Sequence, residues 1–218
     1  GAGEVAIVGL GPAGPAWLTP EAQAALSAAE ELVGYGPYLD RVPVRPGQRR
    51  HPSDNRRERE RAGRALALAA EGARVAVVSS GDPGIFAMAS AVLEALEDGG
   101  AAHAGIEVRV VPGLSAMQAA AARVGAPLGH DFCVISLSDN LKPWEVVERR
   151  LDAAGAADLA LAIYNPASRA RDRLERACAV MLRHRAPETP VVIARDVGGP
   201  GEAVTVTTLA ALPSASVD

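Results

Sequence analysis

The stretch Arg74-Val75-Ala76-Val77-Val78-Ser79-Ser80-Gly81-Asp82-Pro83-Gly84 decides the fold class. Its first half is apolar and rich in β-branched valine, which favours extended backbone, and it is too short for a helix. Its second half is turn chemistry: Asp-Pro-Gly bends the chain, and the glycines let backbone approach a neighbour closely. Gly72 stops a helical pattern just upstream, and a new one, Ile85–Leu96, opens just downstream. Strand, glycine-bearing turn and helix in that order is the unit from which parallel sheets are built.

The same unit recurs on both sides. Val5–Val8 is a β-branched run ending in glycine. Thr19-Pro20-Glu21 then reads as helix cap, first-turn proline and favourable acid. That helix is expected to reach about Glu31, with a short strand over Leu32–Tyr35. Asp54 is the expected cap of a helix ending at about Glu71. Ile106–Val111 reads as a strand, and Ser115–Arg123 as a helix after Pro112-Gly113. Further strands are expected over Phe132–Leu137, Leu159–Tyr164, Val191–Ala194 and Ala203–Thr207, and helices over Pro143–Ala153 and Ser168–His184. The alternation predicts an α/β protein with largely parallel pairing. It divides into an N-terminal lobe, 1–113, and a C-terminal lobe, 114–218.

Composition narrows the class. Of 218 residues, 49% are hydrophobic and 22% charged, the proportions of a globular protein. Aromatics are only 3%, so the core is packed by small aliphatic side chains. A net charge of −4 argues against a general nucleic-acid binder. No segment approaches the roughly 20 apolar residues that span a bilayer. No charged-then-apolar leader opens the sequence, and a cytoplasmic location is expected. Cys133 and Cys178 read as two buried thiols. His51, His103, His130 and His184 lack metal-ligand spacing, so no metal site is expected.

Four strands end in glycine- or proline-rich turns: Gly9-Leu10-Gly11-Pro12-Ala13-Gly14-Pro15, Ser80-Gly81-Asp82-Pro83-Gly84, Pro112-Gly113-Leu114-Ser115-Ala116 and Asn165-Pro166. Ligands of open α/β sheets bind beyond the carboxyl ends of strands. The first turn formally satisfies the dinucleotide fingerprint G-x-G-x-x-G through Gly9, Gly11 and Gly14. That fingerprint needs a helix to open inside the motif. Here Pro12 and Pro15 interrupt, and the helix signal waits until Thr19. An NAD(P)-dependent oxidoreductase therefore stays as an alternative of a different class, and a non-catalytic carrier as another.

Together, VGLGPAGPAWLTPEA, SSGDPGIFAMA, VVPGLSAMQAAAARVGAPLGHDFCVISLSD and YNPASR resemble the tetrapyrrole methylase family over essentially the whole chain. Members use S-adenosylmethionine to methylate uroporphyrinogen and precorrins. The resemblance implies two α/β lobes with the cofactor in the cleft between them, and a homodimer. LVGYGPYLD, RHPSDN and LSDNLKPWE are similar to the branch acting on precorrin-3B. That branch methylates ring carbon 17 and contracts the macrocycle, giving precorrin-4 in cobalamin biosynthesis. An anaerobic counterpart acting on cobalt-factor III is similar in the same segments.

The resemblance also implies site residues. Pro12, Ser80, Gly81, Asp82, Ile85, Ser115, Ala116, Asn165, Val197 and Thr207 match its cofactor-binding positions. Relatives often carry methionine at the position of Asn165 and glycine near Val197. They also continue past the motif TVTTL with a further strand and tail, whereas this sequence ends at Asp218. Asp82 has a second reading as an ordinary turn residue bonding its own backbone. Ring contraction requires a proton donor or acceptor. Candidates are Asp139, Asn140 and Lys142, Asp54, and Tyr35 or Tyr38; Asp139 also reads as a turn residue and Asp54 as a helix cap. The carboxylates of the substrate suit arginine, whose planar fork gives bidentate bonds. Arg49, Arg50, Arg56 and Arg169 are candidates, while Arg56–Arg64 also reads as a solvated helix face.

Overall fold

In the computed structural model, residues 1–55, 57–138, 142–166 and 171–215 are described. The chain divides into two units, Gly1–Ala116 and Met117–Asp218. The first carries a five-stranded sheet built on β1 (Glu4–Gly9), β2 (Glu31–Tyr35), β3 (Arg49–Ser53), β4 (Arg74–Ser79) and β5 (Glu107–Val111). Its order is β3-β2-β4-β1-β5 and every pairing is parallel. Helices α1 (Pro20–Ala28), α2 (Gly36–Leu39), α3 (Glu58–Ala70) and α4 (Met88–Asp98) connect the strands.

Strand alternation sorts the core into two faces. Val5, Ile7, Val33, Val75 and Val77 pack against α3 and α4 through Ala62, Ala65, Leu66, Met88 and Val92. Ala6, Val8, Leu32, Ala76 and Val78 pack on the other side against Ala22, Ala25 and Leu26 of α1. Covering both faces is what makes β1 and β4 continuous apolar runs. It also sends the connection leaving β1 and the connection leaving β4 to opposite faces. These two strands are neighbours, so their carboxyl ends form a switch point of the sheet.

In the second unit, β6 (Phe132–Ser136) pairs parallel with β7 (Ala160–Tyr164), and β8 (Pro190–Arg195) pairs antiparallel with β9 (Ala203–Thr208). Helix α5 (Ala116–Val124) begins at the division. Helices α6 (Trp144–Ala156) and α7 (Arg171–Met181) supply Val147, Leu151, Leu174 and Cys178 to a core shared with Ile135 and Leu137.

Several sequence expectations shift. Thr19 caps α1 as expected, its hydroxyl accepting from the Ala22 N–H at 3.0 Å. The helix then stops at Ala28, because Glu31 is already the first residue of β2. Asp54 does not cap α3: the cap position is Arg57, with no side-chain cap bond. Helix α4 starts at Met88 rather than Ile85, since Phe86 has φ +50 and Ala87 is extended, neither of which a helix admits. Strand β3, RRHPS, carries no apolar alternation. Its charges and Pro52 suit an edge strand, where they discourage further pairing. Cys178 is buried, but Cys133 is only partly so.

Candidate functional site

The carboxyl ends of β4, β1 and β5 lie side by side, and the turn after each is glycine-bearing. The turns are laced together by backbone. Gly11 and Gly81 exchange two hydrogen bonds, N–H to O at 3.1 and 2.9 Å, and the Leu10 N–H donates to Ser79 O at 2.8 Å. Asp82 closes the third side. Its Oδ1 accepts from the Gly113 N–H at 3.0 Å and its Oδ2 from the Gly84 N–H at 2.9 Å. The bond to Gly84 is the local turn bond; the bond to Gly113 reaches another strand's loop. Close approach requires the glycines. A Cβ on Gly9 would stand 2.7 Å from Gly81 O, and one on Gly113 would stand 2.5 Å from the same oxygen.

Pro12, Ser80, Gly81, Asp82, Ile85 and Ser115 fall within these turns, and Ala116 opens α5 directly after the third. Ser115 is buried, and a Cβ on Gly81 would meet Leu114 O and the Ser115 Cα at 3.7 Å. The Ile85 N–H donates to Asp82 O at 3.2 Å. After Gly14 the chain makes only a single 3-10 turn, Pro15–Trp17, before α1 begins at Pro20. The dinucleotide arrangement, with a helix N-terminus inside the motif, is not formed.

In the second unit, Asn165 follows β7 with φ +59 and donates from Nδ2 to Ser136 Oγ at 2.8 Å. Lys142 donates from Nζ to the Ser136 carbonyl at 3.0 Å. Two predicted residues thus meet on Ser136, the last residue of β6. Burial, then the nearby Arg150 and Arg173 guanidinium groups, push the Lys142 ammonium below the usual lysine range. The Tyr164 hydroxyl accepts from the Met117 N–H at 2.9 Å. Val197 is buried in the turn between β8 and β9, which is held by Asp196 Oδ2 on the Gly201 N–H and Glu202 Oε1 on the Gly198 N–H, both 2.7 Å. Thr207 is opposite Val191 at the far end of that ribbon. At about 3.3 Å per residue, it lies on the order of 13 Å along β9 from Ala203.

A profile of the Tetrapyrrole (Corrin/Porphyrin) Methylases matches residues 4–213. The chain belongs to the tetrapyrrole methylase family. It is 57% identical to the cobalamin biosynthesis protein CobIJ of Mycobacterium tuberculosis over 99% of this chain and 43% of that protein. The chain thus spans less than half the length of this mycobacterial relative. A precorrin-3B C(17)-methyltransferase from a Sinorhizobium species is 51% identical over 94% of this chain and 81% of its own length. The crystal structure of the methyltransferase CobJ matches with a TM-score of 0.92 at 51% identity, covering 96% of this chain and 87% of that one.

In this tetrapyrrole methylase the remaining predicted residues are dispersed. Asp139, Asn140, Arg56 and Arg169 lie outside the described residues. Asp54 follows β3 and is exposed; its carbonyl accepts from Arg61 Nη2 at 2.8 Å. Arg49 pairs with the fully buried Glu31. Arg50 donates to Leu39 O at 2.7 Å and Val42 O at 2.5 Å, so its fork already holds α2 and the chain after it. The solvated-face reading of Arg56–Arg64 fails at Arg61, which is 4% exposed and donates from Nε to Ser53 Oγ at 2.8 Å. Helical spacing turns this one arginine toward the apolar residues of α3. Tyr35 and Tyr38 pack edge to face at 5.0 Å, and burial raises the Tyr38 phenol above its usual range. Sequence reading missed Arg41, Ser136 and Tyr164 as site residues. Ser136 and Tyr164 stand in the quoted segments only as strand ends and Arg41 just after LVGYGPYLD; each is marked out by partners remote in sequence. Among the described residues no group of three or more His, Cys, Asp or Glu side chains is placed to hold a metal ion.

Proposed function

We propose that this chain transfers a methyl group from S-adenosylmethionine to carbon 17 of precorrin-3B, with contraction of the macrocycle, giving precorrin-4 in cobalamin biosynthesis. The observation that carries the reading is the cluster of turns after β4, β1 and β5, tied by Asp82, in a chain of this family. The choice of substrate rests on the Sinorhizobium relative. The residues suit the cofactor. Gly9 and Gly113 present backbone where a Cβ would collide with Gly81 O, and Asp82 spends both oxygens holding that backbone rather than moving protons. When bound, S-adenosylmethionine supplies an electrophilic methyl group on a sulfonium.

The proposed cofactor-binding residues are Pro12, Ser80, Gly81, Asp82, Ile85, Ser115, Ala116, Asn165, Val197 and Thr207. Alignment of donor and acceptor is the main demand of an in-line transfer, which suits a rigid backbone cradle. Lys142 is the proton donor for ring contraction: its lowered range eases proton release. Asp139 and Asp54 are the other acid-base candidates. Arg49 and Arg169 meet the substrate carboxylates, and Arg50 joins them only by exchanging its bonds to Leu39 O and Val42 O for substrate. A homodimer is supported by apolar side chains left open on the second unit's strands, with Val206 62% and Phe132 42% exposed. No helix among the described residues is long and apolar enough to cross a membrane, and the cysteines are free, which suits a reducing cytoplasm.

The test is incubation of methyl-labelled S-adenosylmethionine with precorrin-3B and, in a parallel reaction, with cobalt-factor III, read by mass spectrometry and by NMR at carbon 17. Label at that carbon is expected. Label appearing only on cobalt-factor III moves the assignment to the cobalt-containing substrate. No label on either tetrapyrrole overturns the proposal.

A further inference from the structure

Arg41 follows α2, just past its cap residue Asp40. Its half-buried guanidinium reaches back to the turns after β1 and β4. Nη1 donates to Ser80 Oγ at 3.1 Å, and Nη2, whose two N–H groups are shared among three acceptors, lies within hydrogen-bond reach of Leu10 O at 3.1 Å, Gly11 O at 2.8 Å and Ala13 O. One planar fork therefore gathers three carbonyls of the first turn and a hydroxyl of the central turn.

The first turn needs such a donor. Its carbonyls converge in a segment where Pro12 and Pro15 have no N–H to give and where α1 has not yet begun. Backbone carbonyls withdrawn from water require partners. The Gly11–Gly81 pair satisfies part of that need, and Arg41 supplies donors to three carbonyls at once. A lysine cannot replace it. Its ammonium is a point charge and lacks the flat, two-sided geometry that addresses a row of carbonyls and a hydroxyl together.

We infer that Arg41 is a positioning residue that sets cofactor affinity by holding the first and central turns in one arrangement before the cofactor arrives. The inference rests on the reading that these turns hold S-adenosylmethionine. Glycine-bearing turns released from the clamp sample more conformations, and binding must then order them. The consequence falls on binding of the donor rather than on the transfer step. Arg41 also anchors the end of the segment carrying Tyr35 and Tyr38: its N–H donates to Tyr38 O at 3.1 Å. Arg41 thereby joins the tyrosine-bearing segment, through its backbone, to the cofactor turns, through its side chain.

The experiment is calorimetric titration of S-adenosylhomocysteine into the wild type, Arg41→Lys and Ser80→Ala, with thermal unfolding and steady-state kinetics on each. Arg41→Lys is expected to weaken binding about tenfold, as the loss of one charge-assisted bond predicts. The KM for the donor should rise in parallel while kcat at saturating donor stays within about threefold. Ser80→Ala removes the Nη1 contact together with any contact Ser80 itself makes to the cofactor, so the coupling is read from the cycle: Arg41→Lys should weaken binding less in the Ser80→Ala background than alone, because both changes break the Arg41–Ser80 connection. A lowered melting temperature with unchanged affinity and KM in Arg41→Lys would mark a purely structural role and overturns the inference. Failure of the wild type to bind S-adenosylhomocysteine overturns the cofactor reading and the inference together.

Discussion

Asp82 and Gly113 come from turns after different strands, yet the Asp82 carboxylate accepts from the Gly113 N–H at 3.0 Å while its other oxygen holds Gly84. One side chain thus serves its own turn and the turn after β5. Removing it should act at two places. Asp82→Ala leaves both N–H groups without their acceptor, at an expected cost of about 1–3 kcal/mol in stability. Asp82→Asn keeps one oxygen but turns an amide N–H toward a backbone N–H, so it should fall between. Chemical denaturation gives the stability, and titration with S-adenosylhomocysteine gives the binding. Wild-type values for Asp82→Ala in both would remove the tie as an explanation of the site.

Gly81 and Gly113 should respond differently to alanine, although they sit in adjacent turns. Gly113 has no room: its Cβ would lie 2.5 Å from Gly81 O and 3.1 Å from the Gly9 carbonyl carbon. Gly81 has space, its nearest neighbour being 3.7 Å away, but holds φ +64. Gly113→Ala must push strand ends apart, and about 2–3 kcal/mol is expected from overpacking. Gly81→Ala incurs only left-handed strain of about 1–2 kcal/mol. Urea midpoints for the two variants test the order, and a reversed order would refute the close packing of the turns.

Glu31 supplies a pH signature. It is fully buried at the start of β2, with Arg49 on one oxygen and His51 Nε2 on the other at 2.7 Å. Burial alone raises its pKa, but the hydrogen bonds from His51 and Arg49, with their charges, outweigh burial and hold it below the usual glutamate range. A folded-state value below the unfolded one stabilises the fold above the ordinary pKa of about 4.3, and that stabilisation is lost as pH falls through the folded value. Glu31→Gln should therefore be less stable than the wild type at pH 7 by about 1–2 kcal/mol. The gap should close as the pH is taken below about 4. Denaturation midpoints across that range decide it; a gap that persists unchanged into acid would assign the effect to packing.

Much of the fold was legible because the central strands are buried on both faces. Val75–Val78 and Val5–Val8 must be apolar throughout, so composition alone marks them as strands. Thr19-Pro20 was equally legible, since a cap and a first-turn proline act within one turn of the helix. Strand β3 was not. At an edge it buries little, so its sequence is free to be RRHPS, and only pairing with β2 makes it a strand. The start of α4 was also hidden, because nothing local announces that Phe86 takes a positive φ.

The candidate site divides along the same line. Local sequence places the turns and puts glycine, proline and Asp82 in them, because turn chemistry depends on a few consecutive residues. It also carried the family resemblance. The folded sheet is needed to make the turns after β4, β1 and β5 neighbours, because strand order depends on which faces the connecting helices cover. Only the tertiary fold shows that Asp82 reaches Gly113, that Arg41 gathers the carbonyls of the first turn, and that Asn165 and Lys142 share Ser136. Those contacts join residues far apart in the chain, and hydrogen bonds of about 3 Å exist only once the sheet has brought their ends together.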